Sequence, residues 1–207
     1  MKRGDWSAGE IGGPAALSVS PRLDRGTKLL DVFPADGIPA VESLRDLQAD
    51  RRVRVTGRKA GMDITWLDDR IAVGGGIWNA DNMAAVSRAG ITHIIDMQIE
   101  FDDTPLAEPH GIVVCWNPVD DDFKPKPPEV FERGVEFALA ALKENGAKLF
   151  VHCAAGVHRA PMMALALLGV LGWTVEDAMD LIEAKRPAAD FANVYVRSVV
   201  GFLNGRG

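Results

Sequence analysis

Residues 148–171 read KLFVHCAAGVHRAPMMALALLGVL, and this stretch changes character twice. Residues 148–152 are a short apolar run between Lys148 and His152, the pattern of a strand buried within a sheet. Residues 159–171 carry Met162, Met163, Leu165, Leu167 and Leu168 among good helix formers, which predicts a core helix. Between them, Cys153-Ala154-Ala155-Gly156-Val157-His158 leaves room for one tight loop. A strand that passes straight into a helix in this way is a building unit of layered α/β folds.

The neighbouring sequence repeats the alternation. Residues 64–67 and 70–73 are short β-type runs separated by Asp68-Asp69, a predicted hairpin that ends at Gly74-Gly75-Gly76. Asn79 is placed to cap a helix through Arg88, with Met83 and Val86 on one face and Gly90 as the stop. Residues 92–97 and 112–116 predict two more strands. Pro127-Pro128 opens a helix with Phe131, Val135, Ala138 and Leu142 at helical spacing, ended by Asn145-Gly146. Thr174, with Asp177 three residues on, marks the capped start of a helix to Lys185, and a last helix covers 193–203. The order predicts an α/β fold: a central, mostly parallel sheet with helices on both faces.

Composition bounds the rest. The 207 residues are 47% hydrophobic and 25% charged, enough for a full core, so wholesale disorder is excluded. The apolar run 162–172 has 11 residues, well short of the ~20 that cross a bilayer, and no membrane span is expected. The start, MKRGDWSAGEIGG, has charge but no apolar stretch behind it, so a secretory signal is not expected and a cytoplasmic location is. Two cysteines, Cys115 and Cys153, are too few for a disulfide framework or a four-cysteine zinc site, which leaves each as a buried or reactive thiol.

Residues 1–60 carry a net charge of +3 and the remainder −9. Residues 1–40 hold six Gly and four Pro without hydrophobic periodicity, the composition of an extended arm. Val41, Leu44 and Leu47 allow one short helix before the basic run Arg51, Arg52, Arg54, Arg58, Lys59. A solvated segment, or one docked on the acidic body, suits that run better than a nucleic-acid surface. The expected division is an extended or partly disordered N-terminal arm over 1–60 and a folded domain over 61–207.

The loop of residues 153–159 carries the chemistry. Successive backbone N–H groups of such a loop converge on an anion, and the start of the following helix adds partial positive charge. Ala154, Ala155, Gly156, Val157, His158 and Arg159 are therefore the expected phosphate-binding residues. The same field favours the thiolate of Cys153, the nucleophilic form. Arg159 supplies a fork for two phosphate oxygens that a lysine could not reproduce, and Gly156 allows a backbone turn that a Cβ would oppose.

With His152 before the thiol, the segment resembles the dual-specificity branch of the cysteine-based protein phosphatases, whose loop reads His-Cys-x-x-Gly-x-x-Arg-Ser/Thr. The resemblance extends to Arg70-Ile-Ala-Val-Gly-Gly, Ala89-Gly-Ile-Thr-His-Ile-Ile-Asp, Pro118-Val-Asp-Asp-Asp and Glu183-Ala-Lys-Arg-Pro, in that order along the chain. It implies a phosphomonoester hydrolase, with Cys153 attacking phosphorus, Arg159 and the loop amides stabilising the equatorial oxygens, and an aspartic acid protonating the leaving oxygen. Neither metal nor cofactor is expected. The partner it implies is a phosphorylated protein, on Ser, Thr or Tyr, or another phosphomonoester.

Asp120, Asp121 and Asp122 stand 33, 32 and 31 residues before Cys153. The family's Pro-Val-x-Asp pattern matches Asp121, with Asp120 and Asp122 as alternatives, and His152 reads as a loop-organising group. His158 is unusual for the family and reads either as a substrate-facing group or as a solvated filler. Ala160-Pro161 replaces the family's Ser/Thr, a hydroxyl that helps the thiolate leave, so slow turnover is expected. The alternatives are a phosphate-binding pseudophosphatase and a glucan or other non-protein phosphatase, since glucan phosphatases share the Ala-Gly-x-x-Arg-Ala-Pro stretch. None of these features specifies an oligomeric state.

Overall fold

Asp68 closes the first turn of the fold: its carboxylate accepts from the backbone N–H groups of Arg70 and Ile71, both at 2.7 Å. The hairpin it closes joins β1 (Ile64–Trp66) to β2 (Ile71–Gly74), antiparallel, with Ile64 opposite Gly74. The computed structural model describes residues 61–206, so the expected arm, its short helix and the basic run lie outside the described residues.

The remaining strands are parallel. β3 (His93–Asp96), β4 (Val113–Trp116) and β5 (Leu149–His152) complete a sheet of order β1-β2-β5-β3-β4. The central strand, β5, is thus the one that delivers Cys153. Side chains alternate across the sheet. Ala72, Phe150 and Ile94 align on one face and pack with Ile77, Met83 and Val86. Val73, Val151 and Ile95 align on the other, beneath the larger core.

Helices cover both faces, as the alternation predicts. α1 (Ala80–Arg88) lies on the first face, capped by Asn79, whose side chain accepts from the Asn82 N–H at 2.9 Å. α3 (Pro128–Ala141), α4 (Arg159–Val170), α5 (Val175–Lys185) and α6 (Asn193–Asn204) share the second. α4 is buried from Arg159 through Leu168. Its leucines each gain roughly 1.5–3 kcal/mol by leaving water, an upper figure because an unfolded chain is itself partly compact.

Two details depart from the sequence reading. α3 stops at Ala141 rather than at Asn145-Gly146, because Lys143 and Glu144 turn back to the Ala140 and Ala141 carbonyls in a tighter winding. Arg70 reaches across from the start of β2 and donates to the carbonyls of Leu142, Glu144 and Ala147, tying down the segment beyond the helix end. In addition, α2 (Thr104–Ala107) and a 3-10 turn over Glu108–His110 occupy the β3–β4 connection. Four residues with a proline carry no periodicity, so nothing in the sequence marks that helix. Among the described residues, no helix is long and apolar enough to cross a membrane.

Candidate active site

The loop after β5 has its carbonyls engaged on its outer side. Ala154 O accepts from the Gly76 N–H at 3.1 Å, Val157 O from the Asp190 N–H at 2.9 Å, and His158 O from the Met162 N–H within α4 at 2.9 Å. Arg186 takes the two between: its Nε donates to Gly156 O at 2.6 Å and its Nη2 to Ala155 O at 3.3 Å. In a trans peptide the C=O and the following N–H point in opposite directions. The amides of residues 155–159 therefore turn to the inside of the ring, and the Gly156 N–H meets the Cys153 sulfur at 3.2 Å. Cys153 lies at the base, 1% exposed. Such a ring suits an anion at its centre, as a bound oxyanion would supply.

Local sequence makes this turn achievable. Gly156 has φ +65°, and a Cβ there would stand 2.3 Å from Arg186 Nη2 and 2.5 Å from Gly74 O. Arg186 is itself seated by Asp63, with Nη–Oδ distances of 2.8 and 2.6 Å, and by the Thr65 hydroxyl at 3.1 Å. The β1 edge thus braces the ring from outside.

Arg159 is 3% exposed and does not present its terminal fork to the pocket. Nη1 and Nη2 grip the Glu100 carboxylate at 2.9 and 2.8 Å, and Nη1 also donates to Val119 O at 3.1 Å. That hydrogen bonding holds the Glu100 carboxyl below its usual range. Nε is buried without a hydrogen-bond partner, 3.9 Å from Asp121 Oδ2. An orphaned buried donor is costly, and a phosphate oxygen would satisfy it. The edge offered to an oxyanion is therefore Nε with Nη2, while Glu100 fixes the far end.

The three acids have different fates. Asp121 meets the loop at His158: Oδ1 accepts from the Tyr195 hydroxyl at 2.9 Å, and Oδ2 lies 3.0 Å from His158 Nδ1. Asp122 instead pairs with Lys126 and, at 3.1 Å, with Lys124; the Lys126 hydrogen bond drives its carboxyl strongly down, so it stays charged. Asp120 is exposed. Burial pushes the Tyr195 phenol up to about 12, which keeps it a hydrogen-bond donor to Asp121.

His152 lies behind the ring, fully buried, with Nε2 2.8 Å from Asp103 Oδ2 and 3.7 Å from Asp96 Oδ1. Burial raises the Asp96 carboxyl to about 7, against the pull of His152. Asp103 is fully buried against His152 although it neighbours Asp102 in a polar stretch. His158 is likewise no solvent-facing filler: its side chain is 18% exposed and engaged at both ring nitrogens. Cys115 lies two strands from Val151 in register, about 9.6 Å, beyond the ~7 Å Cα limit of a disulfide, and Cys153 is further along the chain. Burial pushes the Cys115 thiol up, away from reactivity.

Sequence reasoning thus named Cys153, Arg159, Asp121 and His158, which the fold brings together, and missed Glu100, Asp103, Asp190 and Tyr195. Tyr195 is the chain's single tyrosine, a signal that could have been followed.

A sheet with a sulfur at the end of its central strand, ringed by amides and backed by an arginine at a helix start, defines a cysteine-based phosphatase scaffold. The description "Dual specificity phosphatase, catalytic domain" matches residues 77–202, and the chain belongs to that family. It is 34% identical over 106 residues to protein tyrosine phosphatase type IVA 3 of Homo sapiens, covering 50% of this chain and 60% of that protein. It is 32% identical over 113 residues to the probable rhodanese domain-containing dual specificity protein phosphatase of Dictyostelium discoideum, covering 54% and 23%. The crystal structure of DUSP15 superposes with a TM-score of 0.60 at 25% identity, over 69% of this chain and 88% of that one. PTPMT1 in complex with PI(5)P gives 0.62 at 19% identity, over 69% and 95%.

Proposed function

We propose that the chain is a phosphomonoester hydrolase of the dual-specificity type, acting on phosphoserine, phosphothreonine or phosphotyrosine through a cysteinyl-phosphate intermediate. The observation that carries this reading is the ring of inward amides around Cys153, with Asp121 held against His158 and beside Arg159. The sulfur attacks phosphorus as the P–O bond to the leaving group breaks, and Asp121 gives its proton to the departing oxygen. Water then attacks the phosphocysteine, Asp121 takes a proton from it, and the thiolate and inorganic phosphate separate. The amides and the Nε–Nη2 edge of Arg159 stabilise the equatorial oxygens in both steps, because donors fixed beforehand need no reorganisation.

The names of the relatives support phosphatase activity. A polyanionic head group such as the PI(5)P of the PTPMT1 complex fits less well, because Ala154, Ala155 and Val157 place no lysine in the loop and the residues beyond 60 are acidic overall. A thiolate nucleophile suits a reducing compartment, so a cytoplasmic location belongs to the same reading. Hydrolysis of an aryl phosphate by the wild type, its loss in Cys153→Ser, and trapping of a phosphoenzyme test the proposal. Absence of wild-type turnover at every pH would overturn it in favour of a phosphate-binding protein.

A further inference from the structure

His158, the residue just before Arg159 in the loop, stands between two carboxylates. Nδ1 lies 3.0 Å from Asp121 Oδ2 and Nε2 3.3 Å from Asp190 Oδ2. A neutral imidazole has one N–H and can donate to only one of them; both contacts are hydrogen bonds when the ring is an imidazolium. The ring is also fixed sideways, edge-on to Phe123 at 5.0 Å, and Phe123 stacks on Tyr195 at 5.7 Å. The Phe123 backbone, at φ +54°, gives its N–H to the Tyr195 hydroxyl at 2.9 Å, so the acid-bearing segment is pinned to α4 and α6 together.

We propose that His158 is the positioning residue of the acid–base step: it aims Asp121 over the ring and stores the proton that Asp121 delivers. This rests on the phosphatase reading above. In the resting site one proton is shared along Nδ1–H···Oδ2. When the P–O bond breaks, Asp121 passes a proton to the leaving oxygen and receives one from Nδ1. His158 is then neutral, its remaining N–H directed to Asp190. When water attacks the phosphocysteine, the proton it loses returns through Asp121 to Nδ1, and the site is restored. A histidine hydrogen-bonded to a carboxylate can resupply a proton that the carboxylate alone would no longer hold, so losing the ring narrows the pH range of acid catalysis.

Other charged groups around the pair act in known directions. From α4, Arg159 Nε is 3.9 Å from Asp121, and Glu100 neutralises its far side. From α6, Tyr195 donates to Oδ1, and from the segment after α5, Asp190 favours the charged ring. On the acid segment, Asp122 is balanced by Lys124 and Lys126, and the Cys153 sulfur acts on the neighbouring Arg159.

The test compares wild type, His158→Gln and Asp190→Asn on two aryl phosphates, one with a good and one with a poor leaving group, across pH. His158→Gln is expected to lower kcat on the poor leaving group by about 10- to 100-fold, with much less loss on the good one, in keeping with the worth of general acid catalysis. The alkaline limb of its profile is expected to move to lower pH, and Asp190→Asn, at an exposed residue, to move it part of the way. Inhibition by inorganic phosphate is expected to be retained, because the ring itself is intact. Equal losses on both substrates with an unmoved alkaline limb would overturn the proposal while leaving the phosphatase reading in place. Loss of that reading would show instead as a wild type that turns over neither substrate.

Discussion

Arg186 Nε donates to the carbonyl of Gly156 at 2.6 Å, although 30 residues separate the two. With Nη2 on Ala155 O, the guanidinium holds two consecutive peptides facing outward, and so determines which way their N–H groups look. The Asp63 carboxylate, gripping the other side, keeps the guanidinium from following the ring.

Replacing Arg186 by alanine leaves those carbonyls and the buried ring without a brace. Oxyanion binding is expected to weaken by on the order of tenfold, with about 1–3 kcal/mol lost from folding. Phosphate inhibition constants and thermal melts of Arg186→Ala against wild type check both.

Of the three consecutive acids, Asp121 is the one in contact with His158 of the loop, and the proposed mechanism gives it the proton transfer. Asp121→Asn is expected to cost about 10²–10⁴ in kcat on a poor leaving group, whereas Asp122→Asn, which breaks ion pairs with Lys124 and Lys126, costs a few-fold at most. Steady-state kinetics with substrates of graded leaving-group acidity separate the two, and the reverse ranking would move the acid role to Asp122.

Ala160, fully buried at the first turn of α4, supplies no hydroxyl to the departing sulfur. Dephosphorylation of the intermediate is therefore expected to be the slow step, visible as a pre-steady-state burst, and Ala160→Ser to shrink that burst while raising kcat. A wild type without a burst would remove this expectation.

Asp96 makes stability depend on pH. Buried beside Asp103 and His152, it keeps its proton to about pH 7, against an ordinary value of 3.8. Between those values the folded protein binds more protons than the unfolded chain, so the contribution of Asp96 falls as pH rises through that window. Asp96→Asn does not ionise. Its melting temperature relative to wild type is expected to improve from pH 4 to pH 8, and a difference constant over that range would refute the assignment.

The parts legible in the sequence are those written in neighbouring residues. Asn79 and Thr174 announce their helices because a cap bonds within three residues. The strand, loop and helix around Cys153 are likewise contiguous. What remained hidden depends on pairs that only the fold brings together. Arg186 meets Asp63 across 123 residues, Arg159 meets Glu100 across 59, and Tyr195 meets Asp121 across 74. No spacing rule connects such partners, and in the sequence an acid that anchors a guanidinium looks the same as one that faces water. Asp103 shows this most plainly: it reads as part of a polar turn with Asp102 and ends fully buried against His152.

The brace from Asp63 also bears on where this enzyme-like unit begins. The family match opens at residue 77, yet Asp63, Thr65, the Gly74 carbonyl and the Gly76 amide all contribute to the shape of the anion cradle. A protein trimmed to the matched span would lose the outer strut of its own phosphate ring, so an expression boundary drawn from homology alone would cut into the machinery.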